Sequence, residues 1–301
     1  MQSLSMNRTL QGYACLAAAM ALVGSTVVAS KVIAAGLPPF TATALRFALA
    51  LPCFALLWRL TGTRLPELQW RDWLLLTAQA IAGSVGYTTL LIAGLQRTSA
   101  VDAGVILGTL PLVSAGVAIV ALGERPGRAT LLAIGAAAAG VWLMTRSGAV
   151  DGAGSVAGNA LVLGAVLCEG LFILLHKRLR TPVPPLALSA IMCAIGLLVC
   201  VPASLAEMPW SLDVSTDALL AVAYYALVPT VGGFLLWYAG AARVAGSDAA
   251  LFTAVAPVSA VLLAAALLGE RLSAGQLWGM ACVLGAVFIL GWARKPAADM
   301  P

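Results

Sequence analysis

Charge is the scarcest property of this sequence. Only 10% of its 301 residues are Asp, Glu, Lys or Arg, whereas 61% are hydrophobic. An ordinary soluble domain has about 25% charged and about 45–50% apolar residues, and a globular core could not bury this apolar excess. Stretches of at least about 18 apolar residues, long enough to cross the hydrocarbon core as a helix, recur along the chain. The composition therefore excludes a soluble domain and predicts an integral membrane protein surrounded by the lipid bilayer.

Groups for catalysis and metal binding are also scarce. The chain has one histidine and no H-E-x-x-H motif, and its six cysteines lie in apolar runs without C-x-x-C spacing. Such cysteines act as small buried hydrophobic residues rather than as disulfides or metal ligands. We therefore expect neither a metal nor a cofactor, and a membrane enzyme is the weaker alternative because no nucleophile with its base is evident. Rings of like charge, which line many channels, are missing too.

The apolar runs divide into ten candidate spans. Lipid offers no hydrogen-bond partner to backbone N–H and C=O groups, so each span must be helical and the fold class is all-α. Most connections are short, apart from 59–72, 207–217 and a Gly- and Ser-containing linker at 146–159. The spans lie at about 12–30, 39–58, 73–94, 101–122, 129–145, 158–176, 186–206, 218–240, 248–268 and 275–292.

The two halves of the chain repeat each other. Both "ALGERP" (121–126) and "LLGERL" (267–272) end a long uncharged run with Gly-Glu-Arg. A single shift of 146 residues aligns the halves and also relates Lys31 to Lys177. We therefore predict two five-helix repeats, at 7–147 and 153–293. The shift carries Gly24, Gly94, Arg97, Asp102, Pro111 and Glu124 to Gly170, Gly240, Arg243, Asp248, Pro257 and Glu270.

An odd number of spans in each repeat inverts the second repeat relative to the first. Twelve basic residues lie at the termini and in even-numbered connections, against four in odd-numbered connections. The positive-inside rule then places both termini in the cytoplasm. Because the basic residues occur in small groups between spans, nucleic-acid binding is not expected. We expect a multi-pass protein of a bacterial inner membrane, whose first apolar run is a retained helix and not a cleaved signal peptide.

Several motifs follow one another in a specific order: Gly24-Ser25 in the first span, Leu45-Arg46-Phe47 in the second, a mid-span proline in the fourth and ninth, and Gly-Glu-Arg closing both. In this order and spacing the chain resembles the EamA family of the drug/metabolite transporter superfamily, over about 10–293. The resemblance implies an exporter of amino acids or related metabolites, aromatic amino acids being favoured and drugs or other metabolites the alternative. It also implies that the third, fourth, eighth and ninth helices are central and the fifth and tenth peripheral.

Two departures from the family pattern affect the site. The first span lacks the tryptophan that many relatives have before the glycine, and Ile191-Met192-Cys193 replaces the Leu-Arg-Phe motif in the second half, so Arg46 has no repeat mate. Inverted repeats give a polypeptide two nearly equivalent conformations, with a small-molecule substrate held between them at the midplane. We therefore expect transport by alternating access, in a monomer or a weak homodimer.

Glu169 is the sharpest candidate for a functional residue. It lies near the bilayer centre, where an ionised carboxylate is costly unless it is paired or solvated by a cavity. Its repeat mate is Val23, so the fold does not require a carboxylate at this position. Glu169 either lines a cavity, where it meets a substrate ammonium or carries a proton, or is a protonated structural residue with an internal hydrogen bond.

Four other titratable residues have two interpretations each. Arg46 either contacts a substrate carboxylate or has a structural role, in which it extends to the interface or pairs with Asp102. Lys31 and Lys177 mark opposite membrane faces, as interfacial anchors or as gates. His176 is either structural or a switch that responds to protonation near neutral pH.

The remaining candidates are aromatic, polar or helix-bending residues. Mid-helix prolines free a backbone carbonyl and bend a helix, while a G-x-x-x-G spacing lets a second helix approach closely. The aromatic candidates for stacking on a substrate are Tyr87, Tyr224 and Trp237, the polar ones in central spans are Gln79 and Thr253, and the bending or packing ones are Pro111, Pro257, Gly104 and Gly108.

Overall fold

The structure is a computed structural model and describes residues 2–110, 112–113, 116–117, 128–150, 155–211, 213–241, 243, 252 and 255–293. Every regular element in these ranges is a helix, so the predicted all-α class is confirmed for this part of the chain. Two candidate residues from the sequence, Pro111 and Thr253, lie outside the described residues.

Six α-helices are described in the first half of the chain, and a π-helical segment joins two of them. Helices α3 and α4 form one continuous rod with the π-helical segment, and this rod is the predicted third span. The helices are α1 (Gln2–Gly36), α2 (Pro39–Thr61), α3 (Trp70–Gln79), the π segment Ala80–Gly86, α4 (Tyr87–Leu95), α5 (Ala100–Leu107) and α6 (Arg128–Val150).

The second half repeats this order over its described residues. Helix α6 extends to Val150 and α7 starts at Val156, so the connection between the halves is shorter than the predicted linker at 146–159. The helices are α7 (Val156–Lys177), α8 (Pro185–Ala206), the 3₁₀ turn Pro209–Ser211, α9 (Thr216–Tyr225), the π segment Ala226–Gly232, α10 (Gly233–Ala241), α11 (Val255–Leu268) and α12 (Ala274–Ala293).

Local sequence sets where several helices begin and end. Helices α2 and α8 start at Pro39 and Pro185, where a missing N–H has no cost because the first helical position has no acceptor in the helix. Ser155 and Ser215 precede α7 and α9, and each side chain accepts a hydrogen bond from the backbone N–H three residues later. Helix α2 ends at Thr61 and is followed by Gly62, whose φ of +60° favours glycine.

Length and surface chemistry identify a multi-pass membrane protein. Six described stretches are long and apolar enough to cross a bilayer, and they coincide with the predicted first, second, third, sixth, seventh and eighth spans. Large apolar side chains are exposed on these and other helices, as with Leu198 on α8 at 74% and Trp278 on α12 at 68%. Lipid is the solvent that suits such a surface. The full count of ten spans stays a prediction, because 118–127 and 244–251 lie outside the described residues.

The helices pack in pairs that the repeat relates to each other. Helix α1 packs against α9, α10 and α11, and its equivalent α7 packs against α3, α4 and α5. The remaining large contacts join α2 with α8 and α6 with α12, which the shift relates, and α5 with α11, which belong to the corresponding fourth and ninth predicted spans. The halves therefore exchange equivalent contacts, as two inverted copies would.

Two glycines show the same relation at atomic detail. A Cβ on Gly94 would lie 3.0 Å from the carbonyl oxygen of Gly158, and one on Gly240 would lie 2.9 Å from that of Gly12. The shift of 146 residues relates Gly94 to Gly240 and Gly12 to Gly158, so the two contacts are repeat equivalents. Helices α4 and α10 therefore approach α7 and α1 in the same way, because glycine leaves room for the backbone of the neighbour.

The two π-helical segments are also repeat equivalents. Ala80–Gly86 and Ala226–Gly232 are each seven residues long and are 146 residues apart. In the second segment Pro229 has no N–H to donate, and the Thr230 hydroxyl donates instead to the Tyr225 carbonyl at 2.8 Å. Such wide turns inside α-helices frequently occur at functional sites. The two π-helical segments border the candidate functional site.

Candidate functional site

Arg46 lies buried between aromatic rings. Its side chain is 8% exposed, and its guanidinium carbon lies 4.5 Å from the ring centroid of Phe47 and 4.6 Å from that of Tyr225. Its Nη2 donates a long hydrogen bond of 3.5 Å to the carbonyl of Ser84, in the first π segment. Ring faces stabilise a guanidinium but do not satisfy its N–H groups. The Arg46 Nε accordingly has no protein partner within the described structure.

Glu169 lies on the opposite wall of this region, on α7. Its neighbours Cys168 and Phe172 face the first π segment, where a Cβ on Gly86 or Gly83 would meet them at 3.0 Å and 2.3 Å. Glycine at these positions lets α7 approach closely, so Glu169 lies within electrostatic range of Arg46. A carboxylate and a guanidinium therefore face one polar region from two different helices.

Polar groups on the first, third and eighth spans complete the region. The Tyr224 hydroxyl and the Ser25 hydroxyl are hydrogen-bonded at 2.7 Å, which joins α9 to α1. Tyr87 approaches the neighbouring Thr26 and interacts electrostatically with Glu169. Gln79 is fully buried, and its Nε2 donates to the Phe172 carbonyl at 3.2 Å.

Two buried polar side-chain atoms of this region have no hydrogen-bond partner among the described residues. Buried polar groups are normally hydrogen-bonded, so an unpaired one marks a position where water or a ligand binds. Over all described residues four side-chain atoms qualify, Ser30 Oγ, Arg46 Nε, Gln79 Oε1 and Thr88 Oγ1, and those of Arg46 and Gln79 belong to this region. They include donors and acceptors, and together with the two opposite charges they suit a ligand that carries both charges. We call Arg46, Gln79 and Glu169 the central cluster.

Five of the residues predicted from sequence come together here. Glu169, Arg46, Gln79, Tyr87 and Tyr224 belong to the central cluster or contact its neighbours. The hypothesis that Arg46 pairs with Asp102 is wrong, because Arg46 contacts the Ser84 carbonyl and two aromatic rings. Asp102 instead accepts a hydrogen bond from Gln276 at 2.7 Å.

Other predicted residues lie away from the central cluster. Lys31 donates to the carbonyls of Leu95 at 2.7 Å and Thr98 at 2.6 Å, at the C-terminal end of α4. His176 is exposed near the end of α7, Lys177 is the last residue of that helix, and Trp237 lies half-buried on α10.

The residues predicted to pack helices together lie where α5 meets the second half. A Cβ on Gly104 would come within 3.0 Å of Val261, and one on Gly108 within 2.8 Å of Val283 and 3.3 Å of Pro257. Pro257 is buried on α11. These three residues thus form a close contact between α5, α11 and α12.

Sequence reasoning missed part of the site. Ser84, whose carbonyl accepts from Arg46, is not singled out by sequence, because a serine in an apolar span commonly bonds a carbonyl of its own helix. The π segments were missed as well. Pro229 was an available signal, since a proline inside a span predicts a disturbed helix at that point.

Comparisons with known proteins agree with the membrane architecture. The model of the EamA-like transporter family matches residues 10–146 and, a second time, residues 156–292. The chain is similar to the uncharacterized transporter YetK of Bacillus subtilis, with 33% identity over 97% of this chain and 92% of that protein. It is also similar to an uncharacterized transporter of Archaeoglobus fulgidus, with 24% identity over 84% of this chain and 89% of that protein.

A solved crystal structure of a protein has the same fold. It is 19% identical, covers 98% of this chain and 99% of its own, and superposes with a TM-score of 0.64. At this identity the likeness concerns the fold alone, and it extends over both halves of the chain.

Proposed function

Because the chain belongs to the EamA-like transporter family, whose members move small molecules across membranes, we propose that it exports amino acids, aromatic amino acids above all. The observation that carries this proposal is the opposite charge of Arg46 and Glu169 within one buried polar region. An amino acid carries a carboxylate and an ammonium a few bonds apart, and each needs a partner of opposite charge when it leaves water.

The central cluster supplies a partner for each group. The unpaired Nε of Arg46 is a donor for the substrate carboxylate, since a guanidinium binds a carboxylate through parallel hydrogen bonds. Glu169 accepts the substrate ammonium. The rings of Tyr87 and Tyr225 lie within range of these charges, and Tyr224 is bonded to Ser25 of α1; these tyrosines offer faces for an aromatic side chain.

The proposed architecture is ten spans in two inverted repeats, at 7–147 and 153–293. Equivalent helix contacts in both halves, the paired π segments and the paired glycine contacts support it. The basic residues favour cytoplasmic termini in a bacterial inner membrane. A site between inverted repeats opens to each side in turn, which is the requirement for export by alternating access.

Three ligands that differ by one charge test the binding chemistry. Phenylalanine has both charges, phenethylamine lacks the carboxylate, and phenylpropionate lacks the ammonium. We expect purified protein in liposomes to exchange labelled phenylalanine saturably and to prefer it to either analogue by about tenfold or more, because a buried charge left unpaired is costly.

Single substitutions assign each charge to a residue. Glu169→Gln should remove the preference for phenylalanine over phenylpropionate, and Arg46→Gln the preference over phenethylamine. His176→Gln is the matched control, because His176 is exposed away from the cluster. Equal exchange of all three ligands by the unmodified protein would contradict an amino-acid substrate. Strong exchange of phenethylamine alone would indicate an exporter of organic cations.

A further inference from the structure

Glu270 connects the second half of the chain to the start of a helix in the first half. Its Oε1 accepts from the backbone N–H of Ala100 and its Oε2 from that of Val101, both at 2.9 Å. These N–H groups open α5, where a helix has unpaired donors and a partial positive charge. The φ of +66° at Gly269 turns the chain directly after α11, so glycine precedes the glutamate for a conformational reason.

Glu207 makes a similar connection, to the N-terminal end of α2. One of its oxygens accepts from the Phe40 N–H at 3.1 Å, and the other accepts from the Thr41 N–H and hydroxyl, each at 2.7 Å. Glu207 directly follows α8, in the second half, and α2 belongs to the first half. Two carboxylates of one half thus hold the N-terminal ends of two helices of the other half.

All these contacts lie at the end of the bundle that the basic-residue distribution assigns to the outside. Asp102 adds a third connection there, since its buried carboxylate accepts from Gln276 of α12 at 2.7 Å. Lys31 lies close enough to interact electrostatically with Glu270. At the opposite end, one described connection between the halves is the neutral hydroxyl of Thr181, which donates to Asp72 at 2.8 Å.

We infer that Glu270 and Glu207 form the outer gate of the transport pathway, an inference that rests on the proposed alternating access. Hydrogen bonds to an ionised acceptor are stronger than those between neutral groups. The two halves cannot separate at the outer end without breaking the bonds of both carboxylates. Glu270 and Glu207 are positioning residues, because they set which side is open and lie outside the central cluster.

A cysteine reporter measures how often the outer end opens. Ala264 suits the purpose, because it is fully buried on α11 and packs in the same apolar cluster as Ala100 and Val101. The substitution Ala264→Cys is made in a variant whose six native cysteines are replaced by serine. The rate of its reaction with a membrane-impermeant charged maleimide is measured in right-side-out and in inside-out vesicles.

Removing one carboxylate charge should raise the labelling rate. We expect Glu270→Gln and Glu207→Gln each to increase the rate from the outside by about tenfold, and the double substitution to increase it further. Glutamine keeps the size of glutamate and one acceptor, so these variants should fold. Thr181→Val is the matched control, because it removes a connection at the other end, and its outside rate should stay unchanged.

The labelling rate can be measured whatever molecule the protein transports. Unchanged outside rates in both glutamine variants, in protein that reaches the membrane, would overturn the gate. An increase seen only in inside-out vesicles would overturn its assignment to the outer face. If the rates rise as expected but phenylalanine is not exchanged, the gate stands and the proposed substrate fails. If phenylalanine is exchanged but the labelling rates do not change, the proposed substrate stands and the gate fails.

Discussion

Replacing Gly24 by alanine would place a methyl group where α11 already lies. The new Cβ would be 2.0 Å from the Ser259 hydroxyl oxygen, 2.5 Å from the Ala256 carbonyl oxygen and 2.8 Å from the Ala260 nitrogen. Real Cβ atoms essentially never come closer than 3.0 Å to such neighbours. The Ser259 side chain can rotate away, but the backbone of α11 cannot. Helices α1 and α11 must therefore move apart by several tenths of an ångström.

The cost of this displacement in stability is that of overpacking a protein interior. One extra methyl group in a well-packed interior typically destabilises a protein by about 1–3 kcal/mol. In a chain of this size, each kcal/mol lowers the melting temperature by about 2–4 °C. We therefore expect Gly24→Ala to lower the melting temperature of the purified protein in detergent by about 2–12 °C, measured by intrinsic fluorescence.

Two further variants make this prediction specific. Gly135→Ala on α6 is the control, because a Cβ there meets nothing within 4 Å, and its melting temperature should not fall. The double variant Gly24→Ala, Ser259→Ala should recover part of the loss, since it removes the contact with the hydroxyl and leaves the contact with the Ala256 carbonyl. A melting temperature for Gly24→Ala within about 1 °C of that of the unmodified protein, roughly the error of such an assay, would refute the close packing of α1 on α11.

Three other predictions address function, topology and the π segments. Glu169→Gln should reach the membrane in normal amount but lose export, or lose the pH dependence of export; normal rates at every pH would instead mean a structural glutamate. A C-terminal reporter that is active only outside the cytoplasm should stay silent, and activity would contradict the proposed orientation. Thr230→Val should destabilise the protein by about 1 kcal/mol in thermal unfolding, because the Tyr225 carbonyl loses its hydroxyl donor; an unchanged melting temperature would mean that water replaces that donor.

The sequence was sufficient for the features that repeat or that depend on length. Uncharged runs predicted the helices because crossing a bilayer requires length, and the shift of 146 residues predicted that the two halves repeat each other. Gly94 and Gly240 illustrate this, since both contact the backbone of equivalent helices. Glu169 was found because a carboxylate in an apolar span is rare.

The features that the sequence did not reveal depend on distant parts of the chain. Gly-Glu-Arg was visible as a repeated motif, but the partners of Glu270 are about 170 residues away and share no local pattern with it. Arg46 was expected near Asp102 only because both residues lie toward the same side of the membrane. Depth in the membrane does not specify which helices face each other. The π segments were not visible because a wide turn changes the helical period over only seven residues.

The paired π segments have a consequence for how related chains can differ. A π turn corresponds to an α-helix with one inserted residue, which the wide turn absorbs while the helix on either side stays in register. Removing one residue from Ala80–Gly86 would therefore restore a regular helix and leave Tyr87, Thr88 and the glycine at 94 close to the faces that they now occupy. Single-residue deletions should be tolerated better within the two π segments than elsewhere in the third or eighth span, where the loss of one residue rotates everything after it by about 100°.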